Sequence, residues 1–296
     1  MRTTWLPDAE PRPRHVAVGE FDGVHLGHRE VMRGADTVLT FEPHPHAVVS
    51  PGREPKLITS LEVKADLIAG LGAQELVVIP FDGDFASQSP QDFIDRVLVE
   101  RLGAEQVSVG ENFRFGHRAQ GDVALLRAQD AFRTRVVELV HHDGEVISSS
   151  HIRQLIHAGE LERANACLAS PFQIRGRVAH GDKRGRTLGY PTANLVPDPA
   201  LVYPGHGVYA CRAAIAVDGT WQWWPAATNV GVRPTFVTGR GLLAEAFLLG
   251  FEGDLYGREL RLAFLSRLRG ELRFDSVEEL VDQMARDVEA TRRIAA

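Results

Sequence analysis

The sequence has few cysteines and no long apolar run. Only two of its 296 residues are cysteine, Cys167 and Cys211, and they stand far apart. Two isolated cysteines form neither a disulfide framework nor a zinc site, and they are typical of a reducing compartment. No apolar run approaches the roughly 18 residues that a membrane-spanning helix needs, and MRTTWLPDAEPRPRH at the N-terminus has no signal-peptide core. We therefore expect a cytoplasmic protein without a membrane partner, which begins with a loose tail.

Positive charge is not in excess either. Lysine and arginine total 33 against 39 acidic residues, so the net charge is −6 and the pI is near 6.1. A general nucleic-acid-binding protein normally has a basic domain or face. We therefore expect no nucleic-acid partner, although a local basic pocket for nucleotide phosphates remains compatible with this balance. The apolar content of 44% and the chain length suit about two domains.

The first half of the chain alternates apolar runs with helical patterns. The predicted buried strands are HVAVGEF, DTVLTFEP, ELVVIPF and QVSVGENF. Between the second and third, TSLEVKADLIAGLG predicts a helix that begins with a capping box of Thr59 and Glu62. On this helix we expect one apolar face, formed by Leu61, Ala65, Ile68 and Leu71.

A second helix of this half is predicted before the fourth strand, with Ser89 as its N-cap and Pro90 at its first position. Short helical patterns also follow ISSS and end near ERANACLASPF. Strands that alternate with helices predict a parallel sheet with helices on both faces. The first predicted domain covers residues 15–168.

From Pro171 onward the pattern changes to short alternating segments with many glycines. These segments predict a small antiparallel β-barrel. The chain closes with an amphipathic helix, for which Ser276 and Glu279 form the predicted capping box. The apolar stripe of this helix consists of Val277, Leu280, Val281, Met284 and Val288. The second predicted domain covers residues 172–296.

Two histidines lie in the glycine-rich run VGEFDGVHLGHRE, directly after the first predicted strand. An open α/β sheet binds ligands at such a turn, and the N-terminus of the following helix suits an anion. Imidazoles placed there can donate hydrogen bonds to phosphate oxygens as charge develops in a transition state. On this pattern alone, His25 and His28 are compatible with a phosphate site and with incidental surface groups.

Four motifs resolve that ambiguity. GEFDGVHLGH resembles the HxGH signature of nucleotidyltransferases, and ISSSHIR at 147–153 resembles their ISSTxxR signature. Together with TFEPHP at 40–45 and GENFRFG at 110–116, they resemble the adenylyltransferase half of the bacterial bifunctional riboflavin kinase/FAD synthetases. The resemblance implies an α/β nucleotidyltransferase-like (Rossmann-like) domain that transfers AMP from ATP to FMN and releases pyrophosphate.

Residue roles follow from the same resemblance. It implies that the catalytic residues of this domain are His25, His28 and Arg153, and that Asn112 binds substrate. The residues implied to bind nucleotide are Gly19, Phe21, Asp22, Gly23, Gly27, Ser148, Ser149 and Ser150. Ser150 stands where the family usually has threonine, so the hydroxyl is kept.

GRVAHGDKRGRTLGYPTANL at 176–195 resembles the opening of the riboflavin kinase module, followed by GVYA and NVGVRPTF. The resemblance implies substrate and Mg²⁺ binding by Thr192 and Asn194, whose oxygens are the hard ligands that Mg²⁺ accepts. LLAEAFLLGFEGDLYG matches the segment that carries the catalytic glutamate, which implies Glu245 as the base. The resemblance also implies nucleotide binding by Gly181, Lys183, Gly185 and Gly189.

The leading hypothesis is thus a two-step enzyme with riboflavin, FMN and ATP as its small-molecule partners. One alternative is a riboflavin kinase whose N-terminal domain is impaired, because only about two helical turns fit between His28 and Thr40. Another is a non-catalytic flavin-binding sensor. His44 and His46 in FEPHPH favour a shaped loop near the flavin or nucleotide over a metal site. The oligomeric state is left open.

Overall fold

The computed structural model divides the chain into two units, Met1–Ser149 and Ser150–Ala296. It describes residues 1–180, 189–196, 198–218, 220–235 and 239–296. Three of the expected nucleotide-binding positions, Gly181, Lys183 and Gly185, lie outside these ranges. Among the helices of the described ranges, none is long and apolar enough to cross a membrane.

The first unit contains a six-stranded sheet in which every neighbouring pair of strands is parallel, as predicted. The strand order is β1-β4-β3-β2-β5-β6. The strands are β1 Arg2–Trp5, β2 Arg14–Val18, β3 Thr37–Glu42, β4 Glu75–Pro80, β5 Ala104–Gly110 and β6 Arg133–Val137.

The prediction of a loose N-terminal tail is wrong, because β1 is an edge strand of this sheet. Arg2 to Trp5 pair in parallel register with Glu75 to Val78. The side chains of Arg2 and Thr4 also hydrogen-bond the buried carboxylate of Glu75, at 2.6 and 2.8 Å. Thr-Thr-Trp favours a strand, and these polar contacts fix its register.

Short helices connect the strands of the first unit. Ser89 caps α5 with Pro90 at its first position, as predicted, and the helix continues in π-helical form over Phe93–Arg101. The helices of this unit are α1 Leu26–Met32, α2 Pro45–Val49, α3 Leu61–Ala69, α4 Gly83–Ala86, α5 Pro90–Asp92 and α6 Val123–Arg127, and α7 Ser149–Ala158 begins at its last residue. Two 3₁₀ turns, Leu6–Asp8 and His117–Ala119, and a small hairpin of β7 His141–His142 and β8 Glu145–Val146 complete the unit.

Successive strand residues point to opposite faces of the sheet and build two cores. Val16 and Val18 belong to one buried cluster, whereas Ala17 between them belongs to the other. The first cluster is closed by the π-helical segment through Ile94 and Leu98. Helices α1 and α3 cover the second. Both faces are therefore covered, as the apolar strand runs predict.

The predicted capping box at the start of α3 is wrong by one residue. Ser60 is the N-cap, and its hydroxyl accepts from the N–H of Val63 at 3.3 Å. Thr59 instead uses its hydroxyl to accept from the N–H of Gly23 at 3.1 Å. Leu71 lies beyond the end of α3 and is exposed, so it does not extend the apolar face as predicted.

The second unit contains a closed antiparallel barrel, as predicted, with the strand order β10-β13-β12-β11-β14-β9. Helix α8 Leu161–Leu168 packs on β9 and β14. The strands are β9 Phe172–Ala179, β10 Ala193–Leu195, β11 Gly207–Val217, β12 Thr220–Thr235, β13 Gly239–Leu248 and β14 Glu259–Arg269.

The terminal helix, α9 Val277–Ala295, packs on β11, β12 and β14. Ser276 caps it, but Glu279 accepts from the N–H of Asp275 at 3.2 Å, so the second half of the predicted box differs. The predicted stripe is half-buried except for Val277, which is exposed. Arg269 of β14 holds the buried carboxylate of Asp287 through both its Nε and its terminal nitrogen.

Candidate active sites

The loop between β2 and α1 has an unusual backbone. The N–H of Gly19 donates to the carbonyl of Leu39, and three of the following residues have positive φ: Phe21 at 51°, Gly23 at 86° and Val24 at 47°. Glycine accepts such angles readily, whereas phenylalanine and β-branched valine adopt them at a cost. Residues held in rare conformations cluster at functional sites, and the surrounding structure must enforce them.

Asp22 provides part of that enforcement. Its buried carboxylate accepts from the N–H groups of Ile58 and Thr59, at 2.8 and 3.1 Å. Its backbone carbonyl accepts from the hydroxyl of Ser149 at 2.9 Å. The loop is therefore tied both to the segment before α3 and to the first residue of α7. We expected Asp22 and Ser149 near the nucleotide, and the structure brings them together.

His25 and His28 stand at the start of α1. His25 is the buried N-cap, and its Nδ1 accepts from the N–H of His28 at 3.3 Å. The two rings stack with centroids 3.5 Å apart, and the ring of Phe21 meets His28 edge-on at 5.4 Å. A side chain at Gly27 would have its Cβ only 3.2 Å from the His25 ring. Glycine at 27 thus permits this ring pair.

Helix α1 is as short as the sequence predicts, yet both of its ends are held. Arg29 donates from Nε to the carbonyl of Val24 at 3.0 Å. From β6, Arg135 reaches the carboxylate of Glu30 at 2.9 Å and the carbonyl of Arg33 at 3.1 Å. These contacts replace part of the support that a longer helix would supply.

The TFEPHP segment lies beside the same loop. His44 is the N-cap of α2, and its Nε2 lies 2.8 Å from the carboxylate of Glu20. Burial raises the pKa of Glu20, but the hydrogen bond and charge of His44 outweigh it, so the net shift is downward. Burial raises the pKa of Glu42. In the described part of the chain, no group of three or more His, Cys, Asp or Glu side chains has a metal-binding arrangement.

The remaining expected residues of the first site are spread over two elements. Ser148 precedes α7, and Ser150 and Arg153 lie on it, Arg153 about one turn further along. Asn112 is exposed in the turn after β5, where the N–H of Phe113 donates to the carbonyl of Gly110. Ser149 ends the first unit and Ser150 begins the second.

In the barrel, strand register aligns three polar residues. Asn194 of β10 pairs directly with Glu245 of β13, and Glu245 pairs with Asn229 of β12 on its other side. Directly opposed residues project to the same face of a sheet. Asn194 is buried, and no donor in the described ranges hydrogen-bonds its Oδ1. Thr192, two residues earlier, is half-buried.

Glu245 is half-buried, less enclosed than its apolar sequence context predicts. Its neighbours Ala244 and Ala246 are buried, so Glu245 projects to the other face of β13. On that face Phe247 meets the ring of Tyr190 edge-on at 5.3 Å. Of the predicted nucleotide-binding glycines of this unit, Gly189 is described and has a φ of 83°.

Two residues of these sites were given no role from the sequence. Asn229 begins the NVGVRPTF segment, and strand pairing places it beside Glu245. Lys64 is buried on α3, with its ammonium 2.7 Å from the carbonyl of Glu20. The signal for Lys64 was present in the sequence, because it is a charge three residues after Leu61 and four before Ile68, on the apolar side of the helix.

Two family models match the chain, one for each unit. The FAD synthetase model covers residues 8–151, and the riboflavin kinase model covers residues 168–295. The bifunctional riboflavin kinase/FMN adenylyltransferase of Listeria monocytogenes is 37% identical over 95% of this chain and 92% of its own. The protein of the same name from Escherichia coli K12 is also 37% identical, over 92% of this chain and 90% of its own.

The chain belongs to the bifunctional riboflavin kinase/FMN adenylyltransferase family. Another protein of the same name, from Bacillus subtilis, is 37% identical over 92% of this chain. A crystal structure named a macrolide-efflux protein, from Streptococcus pneumoniae, shares the fold with a TM-score of 0.87 and 31% identity, over 99% of both chains.

This membership confirms the predicted family, fold class and enzyme class. A two-step flavin-synthesising enzyme is favoured over the kinase-only and sensor alternatives, because both halves of the family match. Riboflavin, FMN and ATP are substrates of the family, which generally needs a divalent metal.

Proposed function

We propose that this chain phosphorylates riboflavin to FMN in the barrel and adenylylates FMN to FAD on the parallel sheet. ATP and Mg²⁺ serve both steps. The proposed domains are residues 15–168 for adenylyl transfer and 172–296 for the kinase. The observation that carries the proposal is that each unit retains a constellation for phosphate chemistry: the capped histidine pair on α1, and Glu245 paired with Asn194.

For the kinase step, we assign Glu245 as the general base. It takes the proton from the ribityl 5′-hydroxyl as that oxygen bonds to the γ-phosphorus of ATP, and the bond to the β-phosphate oxygen breaks to release ADP. Phosphoryl transfer depends mainly on positioning and charge neutralisation, so one base and a bound metal suffice. Gly189, with Gly181, Lys183 and Gly185, belongs to the proposed phosphate loop.

Asn194 fits a metal ligand on structural grounds. A buried amide oxygen without a donor is costly unless something else satisfies it. Mg²⁺ accepts such hard oxygens together with ATP phosphates and water, and when bound it neutralises charge on the transferring phosphate. Thr192, a second hard oxygen donor, lies two residues before Asn194 and directly precedes β10. We assign both residues to the metal and its nucleotide.

For the adenylyl step, FMN brings its own nucleophile. A phosphate oxygen of FMN bonds to the α-phosphorus of ATP, and pyrophosphate leaves. The protein therefore needs donors that align the two anions and stabilise developing charge. We assign this role to His25 and His28 with the N-terminus of α1. Ser148, Ser149, Ser150 and Arg153 extend the donor set, Gly19 and Gly27 admit the nucleotide, and Asn112 contacts substrate.

Each step is tested by supplying its own substrate. Purified protein with FMN, ATP and Mg²⁺ should release pyrophosphate and FAD in equal amounts, and with riboflavin it should form FMN and ADP. Chelation of the metal should stop both reactions. FMN formation without FAD formation would support the kinase-only alternative, and flavin binding without ATP turnover would support a sensor.

We also propose that this work takes place in a reducing cytoplasm. Neither Cys167 nor Cys211 forms a disulfide, both are buried, and burial raises the pKa of the Cys211 thiol. A neutral, buried thiol is a structural group rather than a reactive one. The same activity with and without a strong reductant would be expected.

A further inference from the structure

Lysine is rare in this chain, which makes the buried Lys64 informative. Arginine supplies 30 of the 33 basic residues, and lysine only three: Lys56, Lys64 and Lys183. Lys56 is exposed, whereas Lys64 is only 7% exposed on α3. A lysine ammonium is a compact charge with three donors, whereas the guanidinium is a larger planar fork. The position of Lys64 therefore calls for the smaller cation.

The ammonium of Lys64 is directed at a single carbonyl of the β2–α1 loop. Its Nζ donates to the backbone oxygen of Glu20 at 2.7 Å and lies 3.4 Å from Oγ1 of Thr40. The hydroxyl of Thr40 donates to the same Glu20 oxygen at 3.0 Å. Two donors, from α3 and from the end of β3, thus converge on the residue that precedes Phe21.

Glu20 connects this loop to three neighbouring elements. Its side chain pairs with His44 at the start of α2, and its carbonyl is held by Lys64 and Thr40. The next residues adopt the positive φ angles that lead into the His25 cap. Because rare backbone conformations persist only when their surroundings enforce them, a fixed carbonyl at Glu20 bears directly on where His25 and His28 lie.

Burying an ammonium group also costs folding free energy, because the charge loses its hydration. Burial lowers the pKa of Lys64, while the charges of Asp22, Glu42 and Glu20 act in the opposite direction. A buried charge is a poor stabilising device, since apolar replacements of similar volume are often neutral or better. Its retention against the β2–α1 loop, where it donates to the carbonyl of Glu20, points to a role in holding that loop.

We propose that Lys64 is a positioning residue for adenylyl transfer, which holds the Glu20 carbonyl and thereby the loop that presents His25 and His28. This inference rests on the function proposed above for the same site. It assigns no contact between Lys64 and substrate. The loss of Lys64 should therefore impair the chemical step more than substrate binding.

Lys64→Met tests this role, with Lys56→Met as the matched control at an exposed position. We expect the kcat of FAD formation from FMN to fall on the order of 100-fold, the loss typical of a misplacement near 1 Å, with far smaller changes in KM. The riboflavin kinase rate of the same preparation should be unchanged. A kcat equal to that of Lys56→Met, or an equal loss of kinase activity, would overturn the proposal.

Hydrogen exchange separates this inference from the proposed function. In Lys64→Met, a peptide covering residues 19–25 should exchange faster. Its amides include those of Gly23, which donates to the Thr59 hydroxyl, and Val24, which donates to the Phe21 carbonyl. Exchange in β4 should stay as in the parent protein, which shows that the sheet is intact. If the parent forms no FAD, the proposed function fails, but exchange at 19–25 still decides whether Lys64 holds the loop. Unaltered exchange there overturns the inference.

A second variant covers the case in which Lys64→Met does not fold. Thr40→Val removes the other donor to the Glu20 carbonyl while keeping a similar volume. We expect the same effects on exchange and kcat, but smaller. Where both variants fold, the double variant should show non-additive losses, because the two donors serve one acceptor. If Thr40→Val kept wild-type exchange and kcat, and the losses in the double variant were additive, then Lys64 and Thr40 would not share the Glu20 carbonyl as proposed.

Discussion

The two sites of this chain are built in different ways. The histidine pair follows a loop that has positive φ at three positions and is held by the buried Lys64 of α3 and Thr40 of β3 and by the half-buried Ser149 of α7. The barrel site consists of residues on paired strands, where register alone places Asn194 opposite Glu245. A loop site depends on its support, whereas a strand site depends on its own residues. Substitutions of residues that support a site without contacting substrate should therefore reduce the rate of FAD formation more than the rate of FMN formation.

The largest expected effect is on the barrel. Glu245→Gln removes the proposed base while keeping its size, and base removal costs about 10²–10⁴-fold in rate. FMN formation should fall by that factor, and FAD formation from supplied FMN should persist. Chromatography of the flavin products measures both. Glu278→Gln, at an exposed position of α9, is the control. Unchanged kinase activity in Glu245→Gln would remove Glu245 from its role.

The corresponding change in the sheet unit is His28→Ala. Loss of one donor to a developing charge costs about 10²–10³-fold. FAD formation should fall by that factor while the kinase keeps its rate. His117→Ala, at an exposed residue, controls for loss of an imidazole elsewhere in the same unit. FAD output at the wild-type level after His28→Ala would show that the histidine interpretation is wrong.

A smaller effect is expected on the Mg²⁺ affinity of the kinase site. Asn194→Ala removes the buried oxygen that lacks a donor, and changes around metal sites weaken metal affinity by about 10–100-fold. The Mg²⁺ concentration for half-maximal kinase rate should rise by that factor, with recovery at high Mg²⁺. FAD formation from FMN, titrated in parallel, is the internal control. A kinase rate lost at every Mg²⁺ concentration, without recovery, would contradict the ligand role.

The smallest effect on turnover is expected from Glu75, which begins β4, whereas the histidines follow the carboxyl end of the parallel strand β2. Glu75 is 3% exposed; burial raises its pKa, but hydrogen bonds from Thr4, Arg2 and Arg14 lower it to about 2. A lowered folded pKa stabilises the protein above the usual value of 4.5, and this stability is lost as pH falls toward about 2. Thermal unfolding of the wild type should show this loss.

Glu75→Gln should destabilise the protein near neutral pH by about 3–5 kcal/mol, since it leaves buried arginine charge uncompensated. The pH dependence of its unfolding below the usual carboxylate pKa should be shallower than that of the wild type. Turnover at ambient temperature should not change. Identical pH profiles for the two proteins would contradict the shifted pKa.

Sequence reasoning predicted the strands β2 to β5 and the barrel, because their apolar periodicity and turn residues are local, whereas both motif sets were identified by resemblance to a known family. It missed β1, a short edge strand whose register depends on Glu75, far along the chain. It also placed the α3 cap on Thr59, where either Thr59 or Ser60 satisfies the local rule. The choice was made by tertiary contact, since the Thr59 hydroxyl is occupied by Gly23.

The support of the first site was harder to predict than its motifs. Lys64 interrupts an apolar stripe, but its target is a backbone carbonyl that no side-chain pattern reveals. The pairing of Asn194 with Glu245 likewise follows from barrel closure and not from either segment alone. Motifs therefore predict candidate site residues, and the fold shows which contacts hold them.

Both sites of this one chain are proposed to be active, so that the barrel forms FMN and the sheet unit then converts FMN to FAD. The most direct measurement is a time course of purified protein with riboflavin, ATP and Mg²⁺, with FMN and FAD separated by chromatography. We predict that FMN appears first and that FAD accumulates after it. A reaction that stops at FMN would contradict the claim, and it would show that the histidine pair on its short helix does not support adenylyl transfer.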